Sequence, residues 1–261
     1  MSTSSPSAGL PAAAGPPART TSYGPDSAQV YDVRLPAAAP TGTTVVVVHG
    51  GFWRREWNRD HAAGQAQAFA DIGHHVAVLE YRRTGMTGGG WPGTFEDVTA
   101  GVRAVRSDPS LPDRCLLVGH SAGGQLVALA AAQPWAHGLA GVVSLAGCVD
   151  LGMTQAMNLG NGAVPAFLGA TPTGPHASRY RDADPALHVP AVPVVLVHGE
   201  RDDTVPIEVS ESYLAAMTRA DVQHADVVLH GIPGAGHFDL IDPQQPAFGT
   251  VLEVVATLGR R

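Results

Sequence analysis

A series of short apolar runs, with helix-patterned stretches between them, constrains this chain more than any other feature. The runs are TTVVVVH (residues 43–49), HVAVLEY (75–81), RCLLVGH (114–120), GVVSLAG (141–147), VPVVLVHG (192–199) and ADVVLHG (225–231). Most are continuous and β-branched, as expected of parallel strands buried on both faces. An earlier run, AQVYDVRL (28–35), alternates instead and predicts a partly exposed strand. Helical patterns fall at 57–72, 95–107, 122–132, 207–218 and 246–258, and Thr94 with Asp97 three residues on predicts a cap for the second. The alternation predicts an α/β fold, a mainly parallel central sheet with helices on both faces.

Residues 150–189 break this rhythm with scattered Gly, Pro and Met and predict a short cap-like insertion over the carboxyl edge of the sheet. At 261 residues the chain suits one such domain, spanning 29–261, with no internal repeat. Residues 1–28 are rich in Ser, Ala, Pro and Gly and predict a disordered N-terminal arm. They lack the basic start and apolar stretch of a secretory signal, so a cytoplasmic location is expected.

The net charge of −7 gives no basic footprint for nucleic acid, and no apolar run is long enough for a membrane span. All 16 positive side chains are arginine, which excludes a lysine Schiff base and a Walker-type phosphate lysine. Cys115 and Cys148 sit at or beside apolar runs and read as buried small side chains. No histidine pair has metal-ligand spacing, and no metal or cofactor is expected.

Chemistry concentrates where the runs end. Gly119-His120-Ser121-Ala122-Gly123 places Ser121 between a strand and a helix. A nucleophile on so sharp a turn needs neighbours without Cβ, and the helix start behind it favours developing negative charge. A serine hydroxyl also needs a base. His237, in the Gly-rich loop PGAGHFDL before the last helix, is free to reach across the sheet edge. His198 ends a strand and reads as structural, and His61 as solvated or capping. The base in turn needs an acid, and HGERDDTVP (198–206) offers Asp202 and Asp203, between which spacing does not choose. The order Ser…Asp…His is that of α/β-hydrolases.

The chain after about residue 28 resembles α/β-hydrolase-fold serine esterases whose strand-end motif is His-Gly-Gly. That resemblance selects Asp202 as the acid, through His-Gly-x-x-Asp-x-x-Val-Pro over His198 to Pro206. Here the third glycine of lipase-like esterases is replaced by Phe52, followed by Trp53. His49-Gly50-Gly51-Phe52-Trp53 is similar to the motif of kynurenine formamidases and related bacterial carboxylesterases. The resemblance implies an oxyanion hole built from the amides of Gly51, Phe52 and Ala122, with His49 pinning the loop. Trp53, Met153, Met157 and Phe167 are candidates for contact with substrate.

The expected activity is serine-dependent cleavage of a small carboxylic ester or amide through an acyl-enzyme. Carboxylesterase chemistry comes first and arylformamidase second. The reading from another class is a non-catalytic small-molecule binder of the same fold. The sequence leaves the oligomeric state open.

Overall fold

The computed structural model describes residues 14–220 and 226–260. Among these, eight strands form one sheet: β1 (Arg19–Ser22), β2 (Val30–Arg34), β3 (Thr44–Val48), β4 (His75–Leu79), β5 (Cys115–His120), β6 (Gly141–Leu145), β7 (Val194–Gly199) and β8 (Val227–Ile232). Their order across the sheet is β1-β2-β4-β3-β5-β6-β7-β8. The ladders from β4 to β8 are parallel, and β1 and β2 run antiparallel at one edge.

The continuous valine run of β3 is explained by its position. Val46 and Val48 join one core layer with Leu117, beneath α2 (Gly93–Arg106), α3 (Ala122–Ala131) and α7 (Glu208–Arg219). Val45 and Val47 face the opposite layer with Leu116. There Phe69 of α1 (Ala63–Asp71) stacks at 5.8 Å on Phe248 of α8 (Ala247–Arg260). Successive side chains of a strand point to opposite faces, so a strand covered on both sides has no polar position.

The topology also places the site. The chain leaves β3 toward β4 on one side and leaves β5 toward β6 on the other. The loops after β3 and β5 therefore diverge and open a crevice at the carboxyl edge, where ligands bind in sheets of this kind.

Several local expectations are corrected. Residues 1–13 of the expected arm lie outside the described residues, but Arg19–Ser22 is a strand, not arm. Composition hid the short β-branched Thr20-Thr21 pair, which finds a ladder on β2. The segment is further tied by Arg19 to Asp108 at 2.6 Å and by the Tyr23 hydroxyl donating to the Glu80 carbonyl at 2.7 Å. Thr94 lies inside α2, after Pro92 at its cap, and donates to the Arg82 carbonyl at 2.6 Å. Asp97 accepts from the Arg82 guanidinium, so both residues tie the helix to the loop after β4. The insertion folds as three short helices, α4 (Leu151–Ala156), α5 (Ala163–Leu168) and α6 (Ser178–Ala183). No helix among the described residues is long and apolar enough to cross a membrane.

Candidate active site

Ser121 follows β5 directly and stands at φ 55°, ψ −117°, ahead of α3. That left-handed backbone is uncommon for a residue with Cβ. It is held by the Ser121 amide donating to the Leu145 carbonyl at 2.8 Å. Glycine at 123 is a packing requirement, because a Cβ there would lie 2.1 Å from the Val48 carbonyl oxygen. The close approach brings α3 onto the end of β3 and thereby sets Ser121 beside the loop that follows His49.

His237 comes from the loop between β8 and α8, and Asp202 from the turn after β7. The His237 Nδ1 donates to Asp202 Oδ2 at 2.6 Å, while Asp202 Oδ1 accepts from the amides of Thr204 and Val205 at 2.9 and 2.8 Å. With Nδ1 engaged as a donor, the neutral ring carries its lone pair on Nε2. Burial alone would raise the Asp202 pKa. Hydrogen bonds from His198 and His237, the His237 charge and the Val205 amide hold it instead well below the usual carboxylate range. Asp203 is exposed and, among the described residues, accepts only from the Thr204 hydroxyl, at 3.3 Å. His198 is buried, donates from Nε2 to the Val205 carbonyl at 2.8 Å and meets the Ser210 hydroxyl through Nδ1 at 2.7 Å. It holds the turn that presents Asp202.

Ser121 and His237 open into one cavity of about 130 Å³, whose wall also includes Gly51, Phe52, Trp57, His61, His120, Thr204 and Phe238. His120 is buried, and its Nε2 donates to the His237 carbonyl at 3.0 Å. Burial first, and His237 second, keep the His120 ring neutral. Burial and the nearby His49 likewise push His61 down to about 4. The wall beside Ser121 and His237 includes no Asp, Glu, Lys or Arg. Cys148 is buried next to Ser121 and burial pushes its thiol up to about 12, so it stays a neutral, packed side chain.

The loop after β3 runs through Gly51, Phe52 and Trp53 at φ 111°, 49° and 56°. Among the described residues the amides of Gly51 and Phe52 find no backbone acceptor. Ala122, as the first residue of α3, has none within its helix. The start of the loop is pinned by a buried charge cluster. His49 Nε2 donates to Glu80 Oε1 at 2.9 Å, its Nδ1 lies 2.8 Å from the Gly50 carbonyl oxygen, and its ring stacks on Tyr81 at 4.3 Å. Tyr81 donates its hydroxyl to the His49 carbonyl at 2.7 Å, and Arg83 lies 3.1 Å from Glu80 Oε1.

Burial would raise the Glu80 pKa, but His49, Arg83 and the Arg59 amide bring it down to about 2. A depressed carboxylate stabilises the fold above its ordinary value of 4.5, and that contribution fades as the pH falls from there toward 2. Glu80→Gln keeps the shape and removes the charge. It is expected to cost about 3 kcal/mol at pH 7 and clearly less at pH 3, read from denaturant midpoints at the two pH values.

The four expected substrate contacts are placed elsewhere. Trp53 is fully buried, donates from its indole to Gln125 Oε1 at 3.0 Å and stacks on Phe167 at 4.6 Å. This aromatic pair fastens the cap to the loop, aided by Arg54 donating to the Gly160 carbonyl. Met153 packs against the core, and Met157 is 41% exposed. None of the four lines the cavity of Ser121. The wall instead draws on Trp57 and on His61, His120, Thr204 and Phe238, the last four of which sequence reasoning did not select. His120 and Phe238 stand directly beside Ser121 and His237 in the chain, and that adjacency was the available signal.

Comparison with known proteins gives the family and the fold. A family model described as BD-FAE matches residues 31–217, most of the chain. The chain belongs to the BD-FAE family. This BD-FAE chain is 28% identical over 243 residues to esterase LipQ of Mycobacterium tuberculosis, covering 84% of its own length and 56% of LipQ. It thus spans little more than half the length of that relative. Among solved structures, a truncated carbohydrate esterase from gut microbiota superposes with a TM-score of 0.74 at 20% identity, over 95% of this chain and 100% of that one. Esterase B from Lactobacillus rhamnosis superposes with a TM-score of 0.76 at 19% identity, over 94% and 86%. The BD-FAE chain thus has the α/β-hydrolase fold.

Proposed function

We propose that this BD-FAE chain is a serine carboxylesterase for small uncharged esters. The observation that carries the reading is the 2.6 Å pair of Asp202 and His237, whose histidine lines the same cavity as a Ser121 held in left-handed backbone. In this reading His237 Nε2 takes the proton from Ser121, whose oxygen adds to the ester carbonyl. The amides of Gly51, Phe52 and Ala122 receive the resulting oxyanion. His237 then returns its proton to the departing alkoxide, and a water molecule repeats the sequence on the acyl-enzyme to release the acid. Asp202 holds the tautomer and stabilises the imidazolium.

Relatives named as esterases favour an ester over a formamide as the substrate. A side-by-side comparison of kcat/KM for p-nitrophenyl acetate, p-nitrophenyl butyrate and N-formylkynurenine tests this. The esters are expected to be cleaved faster, and a preference of several decades for the formamide would overturn the ester assignment. A fluorophosphonate probe that fails to label Ser121 in the purified protein would overturn the enzyme itself and leave the non-catalytic binder.

A further inference from the structure

Phe52 occupies the position where a third glycine would relieve the backbone, and its φ of 49° is one that residues with Cβ rarely adopt. Something in the structure therefore holds a bulky ring where glycine would be easier. Phe52 borders the cavity of Ser121 and His237 on one side. On the other it presses on Gly160, in the cap between α4 and α5. A Cβ built at Gly160 would lie 2.7 to 2.9 Å from three carbons of the ring, so only glycine leaves room for it. Gly160 is itself at φ 61°, and its carbonyl accepts from Arg54, two residues after Phe52. Ring, glycine and guanidinium thus lock the loop after β3 to the cap at one point.

We infer that the Phe52 ring is the wall that limits acyl length, an inference that rests on the esterase reading above. The acyl side is assigned by chemistry. The carbonyl oxygen sits on the amides of Gly51 and Phe52 throughout both half-reactions, so the acyl chain stays beside this loop. The alkoxide must leave past His237, which supplies its proton. A ring in this place confines the acyl chain to the small cavity and closes the path beneath the cap. Its wall includes no Asp, Glu, Lys or Arg, which fits acetyl-sized to butyryl-sized groups better than dicarboxylic or long fatty acyl groups.

Two substitutions act on the wall in opposite directions. Phe52→Gly removes the ring and relieves its backbone. Gly160→Ala pushes the ring into the cavity while leaving the loop sequence intact. Rates are measured on p-nitrophenyl acetate, butyrate and octanoate, and on a second series of acetates with lengthening alcohols. Discrimination by a hydrophobic wall is worth about tenfold or more for groups that no longer fit. The octanoate-to-acetate ratio is expected to rise about tenfold or more in Phe52→Gly, and the butyrate-to-acetate ratio to fall several-fold in Gly160→Ala. The alcohol series should stay within about twofold in both. Unchanged acyl ratios in two folded variants, or a shift confined to the alcohol series, overturn the inference and leave the esterase reading standing. A wild-type protein that cleaves none of these esters overturns both.

Discussion

Ser121→Ala is expected to lower kcat for p-nitrophenyl acetate by about 10⁵-fold while the protein stays folded. The size follows from what the hydroxyl does in the proposed reaction: without it no acyl-enzyme forms, and positioned amides alone return only a small part of the rate. The retained fold follows from how the turn is held. The Ser121 amide donates to the Leu145 carbonyl at 2.8 Å, and the Ser121 carbonyl accepts from the amides of Gln125 and Cys148 at 3.2 Å each. All three bonds belong to the backbone, and alanine keeps them. Circular dichroism and the melting temperature should match the wild type, while steady-state hydrolysis falls to background. A variant that keeps its rate within tenfold would remove Ser121 from the role of nucleophile. His237→Ala is expected to behave alike, because the remaining hydroxyl has no base to take its proton.

The fold was legible in the sequence to the extent that burial writes a pattern. β3 is covered on both faces, so its valines run without interruption, and the same holds for β5 and β7. β1 left no such trace: four residues at an edge, half exposed, with neighbours rich in Pro, Ser and Gly. The cap was legible only as an interruption, since its six-residue helices are too short to show a period. At the site, Ser121 stood out because the strained turn demands small neighbours. Spacing did not separate Asp202 from Asp203, because adjacent residues in a turn carry identical chemistry and opposite exposure; only the resemblance of residues 198–206 to a known motif chose Asp202. The cavity wall was the hardest part. Phe52, Trp57, His61 and Phe238 reach it from loops and a 3-10 turn, where side-chain direction follows no simple period. Trp53, next to Phe52, points the other way into the core and stacks on Phe167.

That same difference between neighbours makes the second large effect. Asp202→Asn is expected to lower kcat by about 10⁴-fold, whereas Asp203→Asn should stay within about twofold. Among the described residues each oxygen of Asp202 meets N–H donors: Oδ2 faces His237 Nδ1 at 2.6 Å and lies 3.4 Å from His198 Nε2, and Oδ1 faces the amides of Thr204 and Val205. An asparagine must turn its NH₂ toward one of these sides. Two backbone amides in a tight turn cannot rotate away, whereas an imidazole can change tautomer. The NH₂ is therefore driven toward Nδ1, which becomes the acceptor, and the proton moves to Nε2. The ring then offers Ser121 a hydrogen where it needs a lone pair, with the fold otherwise unchanged. Asp203 has no such constraint, since it is exposed and, among the described residues, hydrogen-bonds through its side chain to the Thr204 hydroxyl alone. Parallel kcat measurements on p-nitrophenyl acetate decide the matter. A larger loss in Asp203→Asn would mean that the 2.6 Å contact of Asp202 with His237 is not the one that supports turnover.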